Sequence, residues 1–491
     1  MSNLKNKTVY SSLAWNFFER ICVEGVQLVL SIILARILIP EDYGILALIT
    51  IFISISTVIV ETGLCSSIIN KKDVTKRQIN FIFTINLCSA ILLYLIIFLS
   101  APLIASFYDA YNKELLTKLL RVYSLILPIG AFTSVQTAMV HKNMLFKKMF
   151  FVNIACVTLS GIVGVSLALK GAGVWALVFQ QMSSKVVLFF ALTILLKWIP
   201  HPTKAEKESW EMIKYGSNIL GLSLFNVFYN QFSSIVVGKV HTPSSLAYYN
   251  KAQTFPSMIA TNTDYSMQKV MFSAYSKEKD DLTRIKDMMR RTIVIISFIL
   301  FPLMFGMLAT SKNIVIVLLT EKWMPTIPYM QLFCVFYFLQ PLKTTGAQAL
   351  NGIGKSNVPL RVGLFSKSLG IVLILSTVWF GLRILLVSLI FSETIGSIIY
   401  MTLNKKYFSY TFKEQIWDFL PSLICSLIMC GAVLVIGALA KSLLPIVALI
   451  IQVFSGMLIY FGLSFIMNRK ILKMVKTFFK KKEKIDETVS S

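Results

Sequence analysis

Fourteen long runs of apolar residues constrain the fold of this chain more than any other feature of its sequence. The hydrocarbon core of a bilayer is about 30 Å thick and needs about 20 apolar residues per helix. The runs lie near residues 12–37, 43–69, 79–99, 119–140, 150–169, 174–196, 215–237, 246–273, 293–310, 327–350, 358–379, 382–403, 416–438 and 443–467. Only 14% of the 491 residues are charged, whereas soluble proteins carry roughly 25%. The sequence predicts an all-α polytopic membrane protein with about 14 transmembrane helices and excludes a soluble enzyme.

The basic residues indicate membrane topology rather than a nucleic-acid partner, although the net charge is +25. An even number of spans places both termini on the same side of the membrane. Of the 48 lysines and arginines, 32 fall in loops and tails on that side and 10 on the other. Basic residues concentrate in cytoplasmic loops, so both termini are predicted to be cytoplasmic. The lysine-rich tail is expected to rest near anionic lipid headgroups.

An internal repeat relates the start of the chain to its middle. A shift of 203 residues, slightly larger for the last two pairs, aligns Gln27 with Asn230, Ser31 with Ser234, Pro40 with Pro243, Glu61 with Asp264, Pro128 with Pro341 and Gln136 with Gln348. Six spans precede the second copy, so both copies begin on the same side, and such proteins bind substrate between their halves. The predicted regions are two six-helix bundles over 1–204 and 205–410, then helices 13 and 14 with the tail over 411–491.

Polar side chains form stripes on three of the predicted helices. Spacings of three or four residues place each stripe on one helix face: Arg20, Glu24, Gln27 and Ser31; Ser223, Asn226, Asn230 and Ser233; Ser257, Thr261, Asp264 and Gln268. An ionisable group in mid-membrane costs at least ~2.5 kcal/mol and needs a partner or a wet cavity. The alternative is that these residues only bind helices to one another. We expect a common water-filled cavity between the halves, to which Lys251, Lys343 and Gln348 also contribute.

Enzyme and metal signatures do not accompany the spans. The three histidines lie far apart in the sequence, and the seven cysteines fall inside apolar runs without a CxxC pair. The segment Gly354-Lys355-Ser356 resembles the end of a phosphate-binding loop, but Ala349 occupies the position of its first glycine. We therefore expect no catalytic site, no bound metal and no organic cofactor.

Two short motifs resemble the polysaccharide transporters, the oligosaccharide-lipid flippases of the multidrug, oligosaccharidyl-lipid and polysaccharide exporter superfamily. The first is Ala35-Arg36-Ile37-Leu38-Ile39-Pro40-Glu41-Asp42-Tyr43-Gly44, and the second is Ala247-Tyr248-Tyr249-Asn250-Lys251-Ala252 followed by Pro256. The sequence is most similar to exporters of the colanic acid and teichuronic acid type. The resemblance implies a MATE-like fold in which two six-helix bundles rock around a central cavity. It also implies that helices 13 and 14 guide a lipid tail.

The resemblance also implies a cargo, an undecaprenyl-pyrophosphate-linked oligosaccharide that crosses the bacterial cytoplasmic membrane to build O-antigen, capsule or exopolysaccharide. The expected substrate-binding residues are Arg20, Lys251 and Lys343 for the pyrophosphate and Gln27, Asn226, Asn230 and Gln348 for the sugars. Coupling to H⁺ or Na⁺ stays open, with candidate carboxylates Glu24, Glu61 and Asp264. A polysaccharide polymerase and chain-length proteins are candidate partners beside membrane lipids.

Several other functions remain open at the level of sequence. A cation-coupled drug antiporter of the same superfamily usually has twelve spans and an acidic cavity, unlike this chain. A lipid II flippase shares the expected architecture. A membrane polysaccharide polymerase or ligase is expected to carry a large outer loop with catalytic charges, and the outer loops here are short. A structural scaffold would not need repeated polar stripes inside its spans.

Overall fold

The computed structural model describes residues 19, 22–61, 65–71, 73–201, 203 and 207–467. Within these residues the backbone forms α-helices joined by short turns and three 3-10 segments, and it contains no β-strand. Helix α1 covers 22–37. Helices α2 to α9 follow as Pro40–Glu61, Cys65–Asn70, Lys76–Phe107, Lys113–Tyr123, Ile126–Lys142, Phe146–Leu169, Val174–Leu196 and Lys207–Val240. Helices α10 to α17 are Pro243–Lys277, Leu282–Leu318, Ile327–Phe338, Gln340–Gly352, Asn357–Thr377, Leu382–Phe408, Phe412–Leu439 and Pro445–Met467.

Local signals in the sequence explain where many of these helices begin. Proline occupies the first position of α2, α10 and α17, where its missing N–H costs no hydrogen bond. Thr75 and Gln78 form a capping box at the start of α4, and Thr411 and Glu414 form another at the start of α16. Each box satisfies two backbone N–H groups that the helix leaves without a partner.

Contacts between helices divide the described residues into two compact units, one up to Ala247 and one from Tyr248 onward. In unit 1, α7 packs along α8, and α2 packs against α6 and α9. Helix α9, which the repeat assigns to the second bundle, is therefore part of unit 1 by its contacts. The bundle boundaries at 204 and 410 follow from the repeat, and they stay a prediction.

The end of α9 is fixed to the turn after α4, within unit 1. Lys239 donates to the carbonyl of Phe107, and its Nζ lies 4.5 Å from the centroid of the Phe107 ring. The same ammonium lies 2.9 Å from Asp109 Oδ2. This hydrogen bond and the positive charge of Lys239 hold the pKa of the exposed Asp109 carboxyl below its usual range.

In unit 2, α11 packs along α16, and α17 packs on both. Charged groups join the first two of these helices. Arg290 on α11 donates two hydrogen bonds to Asp418 on α16, at 2.8 and 2.9 Å, and Lys286 lies 2.9 Å from Glu414. Tyr410 donates to Asp418 at 2.7 Å. Helix α16 is thus attached to α11 by both packing and ion pairs, and α17 packs on both of these helices.

The fourth span of each repeat copy consists of two helices rather than one. Residues 124–125 separate α5 from α6, and Leu339 separates α12 from α13. The sequence predicted one continuous helix for each of the spans 119–140 and 327–350, and this prediction was wrong. The repeat-related prolines Pro128 and Pro341 lie just after the two breaks. A proline lacks the N–H that would continue the preceding hydrogen-bond ladder, which accounts for an interruption at this position.

Ten helical segments in the described part of the chain are long and apolar enough to cross a membrane. Large apolar side chains project from their surfaces, for example Leu103 on α4 and Leu458 on α17, which are 73% and 75% exposed. Such surfaces suit lipid. Four further predicted spans, over 12–37, 215–237, 246–273 and 327–350, coincide with helices where they are described, but they are not among the ten. The predicted all-α polytopic fold is confirmed, whereas the count of 14 spans stays a prediction.

Candidate functional site

Unit 1 contains a polar cavity of about 360 Å³ among α1, α2, α7 and α8. Its polar lining consists of Gln27, Ser31, Tyr43, Ser160, Gln180, Gln181 and Ser184. The two α1 residues in this lining belong to the first predicted stripe. Tyr123 donates to Gln181 Oε1, which connects α5 to this wall of α8. The cavity offers hydroxyl and amide groups, which can exchange hydrogen bonds with sugar hydroxyls.

A second cavity of unit 1, which we call the Glu61 cavity, has a volume of about 300 Å³. At its wall, Lys185 Nζ on α8 lies 2.6 Å from Glu61 Oε1 on α2, and the two side chains are 30% and 28% exposed. A Cβ atom added at Gly130 on α6 would lie 2.8 Å from Glu61 Oε1. The absence of a side chain at Gly130 therefore lets the Glu61 carboxylate approach α6 closely.

In unit 2, Asp264 on α10 is 4% exposed and binds to α13. Its carboxylate accepts hydrogen bonds from Gln340 Nε2 and from Thr344 Oγ1, the latter at 3.2 Å. A cavity of about 10 Å³ adjoins the carboxylate and is also lined by Gln268 and Gln348. That volume is close to the minimum that holds one water molecule, about 10–15 Å³.

Lys343 on α13 donates to Glu393 Oε2 on α15. The two side chains are 23% and 20% exposed. The aliphatic part of Lys343 also passes Gly396, whose added Cβ would lie 3.7 Å from Lys343 Cδ. Of the predicted cationic residues, Lys343 therefore has an acidic partner on a neighbouring helix.

Lys251 lies in the first turns of α10 and is only 7% exposed. Its Nζ lies 5.8 Å from the ring centroid of Trp323, a residue with no exposed surface. Two residues further along the chain, Gln253 donates to Tyr337 Oη at 3.0 Å and connects α10 to α12. Lys251 is thus placed next to a buried aromatic side chain of unit 2.

The remaining predicted site residues are less enclosed. Asn226 and Glu24 are half-buried, on α9 and α1, and Asn230 on α9 is exposed. Arg20 lies outside the described residues. A chamber shared by both halves and lined by all three stripes stays a prediction, as do the individual roles of these residues.

Corresponding helices carry the polar groups in the two units. The second and sixth spans of unit 1 provide Glu61 and Lys185, which meet beside Gly130 on the fourth. In the second repeat copy, the second span provides Asp264, which binds the fourth at Gln340 and Thr344. The fourth span in turn binds the sixth through Lys343 and Glu393. The lysine of the cluster is on the sixth span in the first repeat copy and on the fourth span in the second. The repeat therefore preserves the location of the polar cluster but not the position of its lysine.

Two charged residues of these clusters, Lys185 and Glu393, were not among the predicted site residues. The signal that could have found them was the one that identified Lys343, a charge inside an apolar run. Their partners lie 124 and 50 residues away in the sequence. Because neither partner is on the same helix, spacing within a helix gives no indication of the pairing.

The fold matches two solved transporters. The lipid II flippase MurJ in an inward closed conformation superposes with a TM-score of 0.73 at 15% identity, covering 94% of this chain and 100% of that chain. An inward-facing multidrug resistance MATE transporter superposes with a TM-score of 0.60 at 14% identity, covering 78% and 94%. At these identities the likeness is one of fold alone. It confirms a MATE-like architecture and defines the chain as a multi-pass membrane protein with a transporter fold.

The sequence also matches a family, described as polysaccharide biosynthesis protein, over residues 33–328. This match covers more than half of the chain, so the protein belongs to that family. The teichuronic acid biosynthesis protein TuaB of Bacillus subtilis is 21% identical over 356 residues, which cover 72% of this chain and 73% of TuaB. The resemblance inferred from the two short motifs is thereby confirmed.

Proposed function

We propose that the protein is a flippase for undecaprenyl-pyrophosphate-linked oligosaccharide repeat units, and that it serves bacterial surface polysaccharide synthesis. The observation that carries the proposal is the combination of membership in the polysaccharide biosynthesis family with a transporter fold. The family indicates the class of polymer, and the fold indicates movement across a membrane rather than bond formation. We place the protein in the cytoplasmic membrane with both termini in the cytoplasm.

The physical task of such a flippase agrees with polar cavities inside apolar helices. A hydroxyl moved into hydrocarbon without a hydrogen bond costs roughly 2–7 kcal/mol, and an ionised pyrophosphate costs far more. A polyprenol chain is stable in lipid. The protein therefore has to shield only the headgroup. Gln27 lines a cavity of about 360 Å³ in unit 1, which supports a role in sugar binding.

We assign the pyrophosphate to the cationic residues Arg20, Lys251 and Lys343, and sugar contacts to Gln27, Asn226, Asn230 and Gln348. Among the candidate coupling carboxylates, Glu61 has a lysine partner, whereas the two hydrogen bonds of Asp264 come from neutral side chains. A carboxylate held by neutral donors gains or loses a proton or Na⁺ without breaking an ion pair. This difference supports Asp264 as the coupling residue if transport depends on H⁺ or Na⁺.

A lipid II flippase is the second candidate function, because MurJ superposes over the full length of its chain. Lipid II and a polysaccharide repeat unit share the polyprenyl pyrophosphate and differ in the attached sugars. A strain that lacks its own lipid II flippase distinguishes them, since only a lipid II flippase restores growth. The family match does not favour a drug antiporter, and the transporter fold does not favour a polymerase or a ligase.

Deletion of the gene tests the proposal. We expect loss of surface polysaccharide and accumulation of lipid-linked repeat units on the cytoplasmic leaflet, measured with a membrane-impermeant glycosidase on oriented vesicles. Wild-type protein supplied from a plasmid should restore the polymer. Normal surface polysaccharide in the deletion strain, with no accumulated intermediate, would contradict the proposal.

If a polymerase and chain-length proteins act as partners, they should co-purify with the tagged flippase.

A further inference from the structure

The Glu61–Lys185 ion pair is incompletely buried and borders a cavity. About 30% of each side chain is exposed, and Glu61 Oε1 approaches Lys185 Nζ to 2.6 Å. An ammonium group has three N–H donors, so one carboxylate oxygen does not saturate it. The pair thus differs from a fully buried structural ion pair, which excludes other ligands.

The lining of the Glu61 cavity is suited to a small anion. Its polar lining consists of Ser66, Thr133, Ser134, Thr137 and His141 together with the ion pair. The hydroxyls of Thr133 and Ser134 donate to the carbonyls of Gly130 and Ala131 in this structure. A hydroxyl that rotates toward the cavity can donate to a phosphate oxygen instead, and a lysine is a common phosphate ligand. Its volume of about 300 Å³ is at the lower limit of ligand pockets, roughly 300–1,000 Å³. It therefore suits a phosphate or pyrophosphate group rather than a whole oligosaccharide.

A lysine that has no counterion is a poor anchor for a carrier. In the unloaded state its charge would lie unpaired within the membrane, at a cost of at least ~2.5 kcal/mol. In the loaded state a strong attraction would delay release on the far side. A neighbouring carboxylate removes both problems, because it neutralises the empty site and repels a bound anion.

We propose that the Glu61 cavity is an anion subsite of unit 1, in which the substrate's pyrophosphate displaces Glu61 from Lys185. The inference rests on the proposed flippase function and adds a binding residue, Lys185, and a displaceable counterion, Glu61. Lys185 contacts the pyrophosphate oxygens. Glu61 sets the strength of that contact and returns to Lys185 when the headgroup leaves. No covalent bond changes in this exchange.

Binding of inorganic pyrophosphate to the purified full-length protein tests the subsite directly. Glu61→Gln should bind pyrophosphate about tenfold more tightly than wild type, a difference of about 1.4 kcal/mol. Lys185→Gln should bind it at least about tenfold more weakly. Lys118→Gln is the matched control, because Lys118 pairs with Glu114 on an exposed helix face; its affinity should equal that of wild type. Unchanged affinity in Glu61→Gln or in Lys185→Gln overturns the inference.

The double variant Glu61→Gln with Lys185→Gln separates binding from folding. It contains no unpaired charge, so it should fold even if a single variant does not. We expect normal yield, no recovery of pyrophosphate binding and poor export. Restored export in this variant would mean that the pair is only structural and would overturn the inference.

Transport kinetics provide a second readout that a structural role would not produce. Glu61→Gln should lower both KM and kcat for flipping of the lipid-linked substrate, because the headgroup binds more tightly and leaves more slowly. A lower kcat with unchanged KM overturns the subsite. The deletion phenotype is independent of these measurements: a strain that retains its polymer refutes the flippase function, whatever the affinity of the purified protein for pyrophosphate.

Discussion

At the scale of single residues, two ion pairs place lysines inside the helical units with an acidic partner from another helix. Lys343 binds Glu393, and Lys185 binds Glu61. Removing one member of such a pair leaves the other charge unpaired in a poorly solvated place, which costs more than the pair itself contributes. Single substitutions at these positions therefore combine a functional and a structural effect, and paired variants are needed to separate them.

Lys343→Ala should reduce export of surface polysaccharide several-fold, because it removes a cation assigned to the pyrophosphate and leaves Glu393 unpaired. The measurement is surface polymer per unit of membrane-inserted protein. The control is Lys312→Ala, at an exposed lysine of α11, which should export normally. Adding Glu393→Gln to Lys343→Ala should restore protein amount but not export. Normal export in either Lys343 variant would contradict the assigned role.

Asp264→Asn should remove the dependence of flipping on the driving ion. The amide has nearly the same shape as the carboxylate and can still bind Gln340 and Thr344, but it can neither exchange a proton nor neutralise Na⁺. Flipping of a fluorescent lipid-linked substrate in proteoliposomes, with imposed H⁺ or Na⁺ gradients, measures the effect. Equal stimulation of wild type and variant by a gradient would eliminate Asp264 as the coupling residue.

At the scale of elements, the starts of the repeat-related helices α2 and α10 meet within unit 1, at a contact that has no room for a side chain. A Cβ added at Gly44 would lie 1.8 Å from the carbonyl oxygen of Pro243. The obstacle is backbone, which cannot move aside as a long side chain can. Gly44 closes the first motif of the sequence, and Pro243 is the repeat partner of Pro40. The close approach explains why this motif contains a glycine.

Gly44→Ala should destabilise the protein by about 1–3 kcal/mol or more, because overpacking forces α2 away from the first residue of α10. The melting midpoint of purified protein in detergent measures the effect. Gly431→Ala is the control: no atom lies within 4 Å of its added Cβ. That change should be neutral or stabilising, since alanine favours helix by up to about 1 kcal/mol over glycine. Equal midpoints for both variants would refute the steric explanation.

Asp418→Asn should loosen α16 from α11. The change removes a charge that accepts two hydrogen bonds from Arg290 and one from Tyr410. Hydrogen bonds to charged groups contribute about 1.5–3 kcal/mol, so we expect a lower melting midpoint. The control Glu114→Gln alters an exposed pair, which contributes little. An unchanged midpoint in Asp418→Asn would show that the hydrogen bonds to Asp418 do not contribute to the attachment of α16.

Hydropathy predicted the elements well and their interruptions poorly. A span needs only a sufficient length of apolar residues, and this is a property of the local sequence. The breaks at residues 124–125 and at Leu339 occur inside continuous apolar runs, so composition does not reveal them. The prolines near both breaks were visible as repeat partners but gave no direct evidence of a break. The partners of Lys185 and Lys343 depend on tertiary packing and could not be read from one sequence.

At the scale of the whole molecule, the chain consists of two units that each contain apolar helices around a polar cluster. The superposition on MurJ over 94% of the chain shows that this organisation is one that transporters use. Fold likeness alone does not choose the cargo, because a MATE transporter shares the same architecture. The family match to polysaccharide biosynthesis proteins favours a polysaccharide-related cargo over a drug.

The bias of 32 inner against 10 outer basic residues predicts the orientation of the whole chain. A fluorescent protein that folds only in the cytoplasm should therefore fluoresce when fused after residue 491. The same fusion after Asp109 should remain dark, because the turn following α4 is predicted to lie outside. Fluorescence at Asp109 and none at the end of the chain would reverse the topology.

The division of the fourth span in both repeat copies has a mechanical consequence. An unbroken helix of this length can only tilt as one rod, since bending it would stretch its ladder of backbone hydrogen bonds. Two shorter helices that are separated by one or two non-helical residues can change the angle between their axes at that break. In unit 2 the break at Leu339 directly precedes Gln340, whose side chain holds Asp264. A change of charge at this carboxylate would act next to the break at Leu339, so α13 can change its angle while α12 keeps its position.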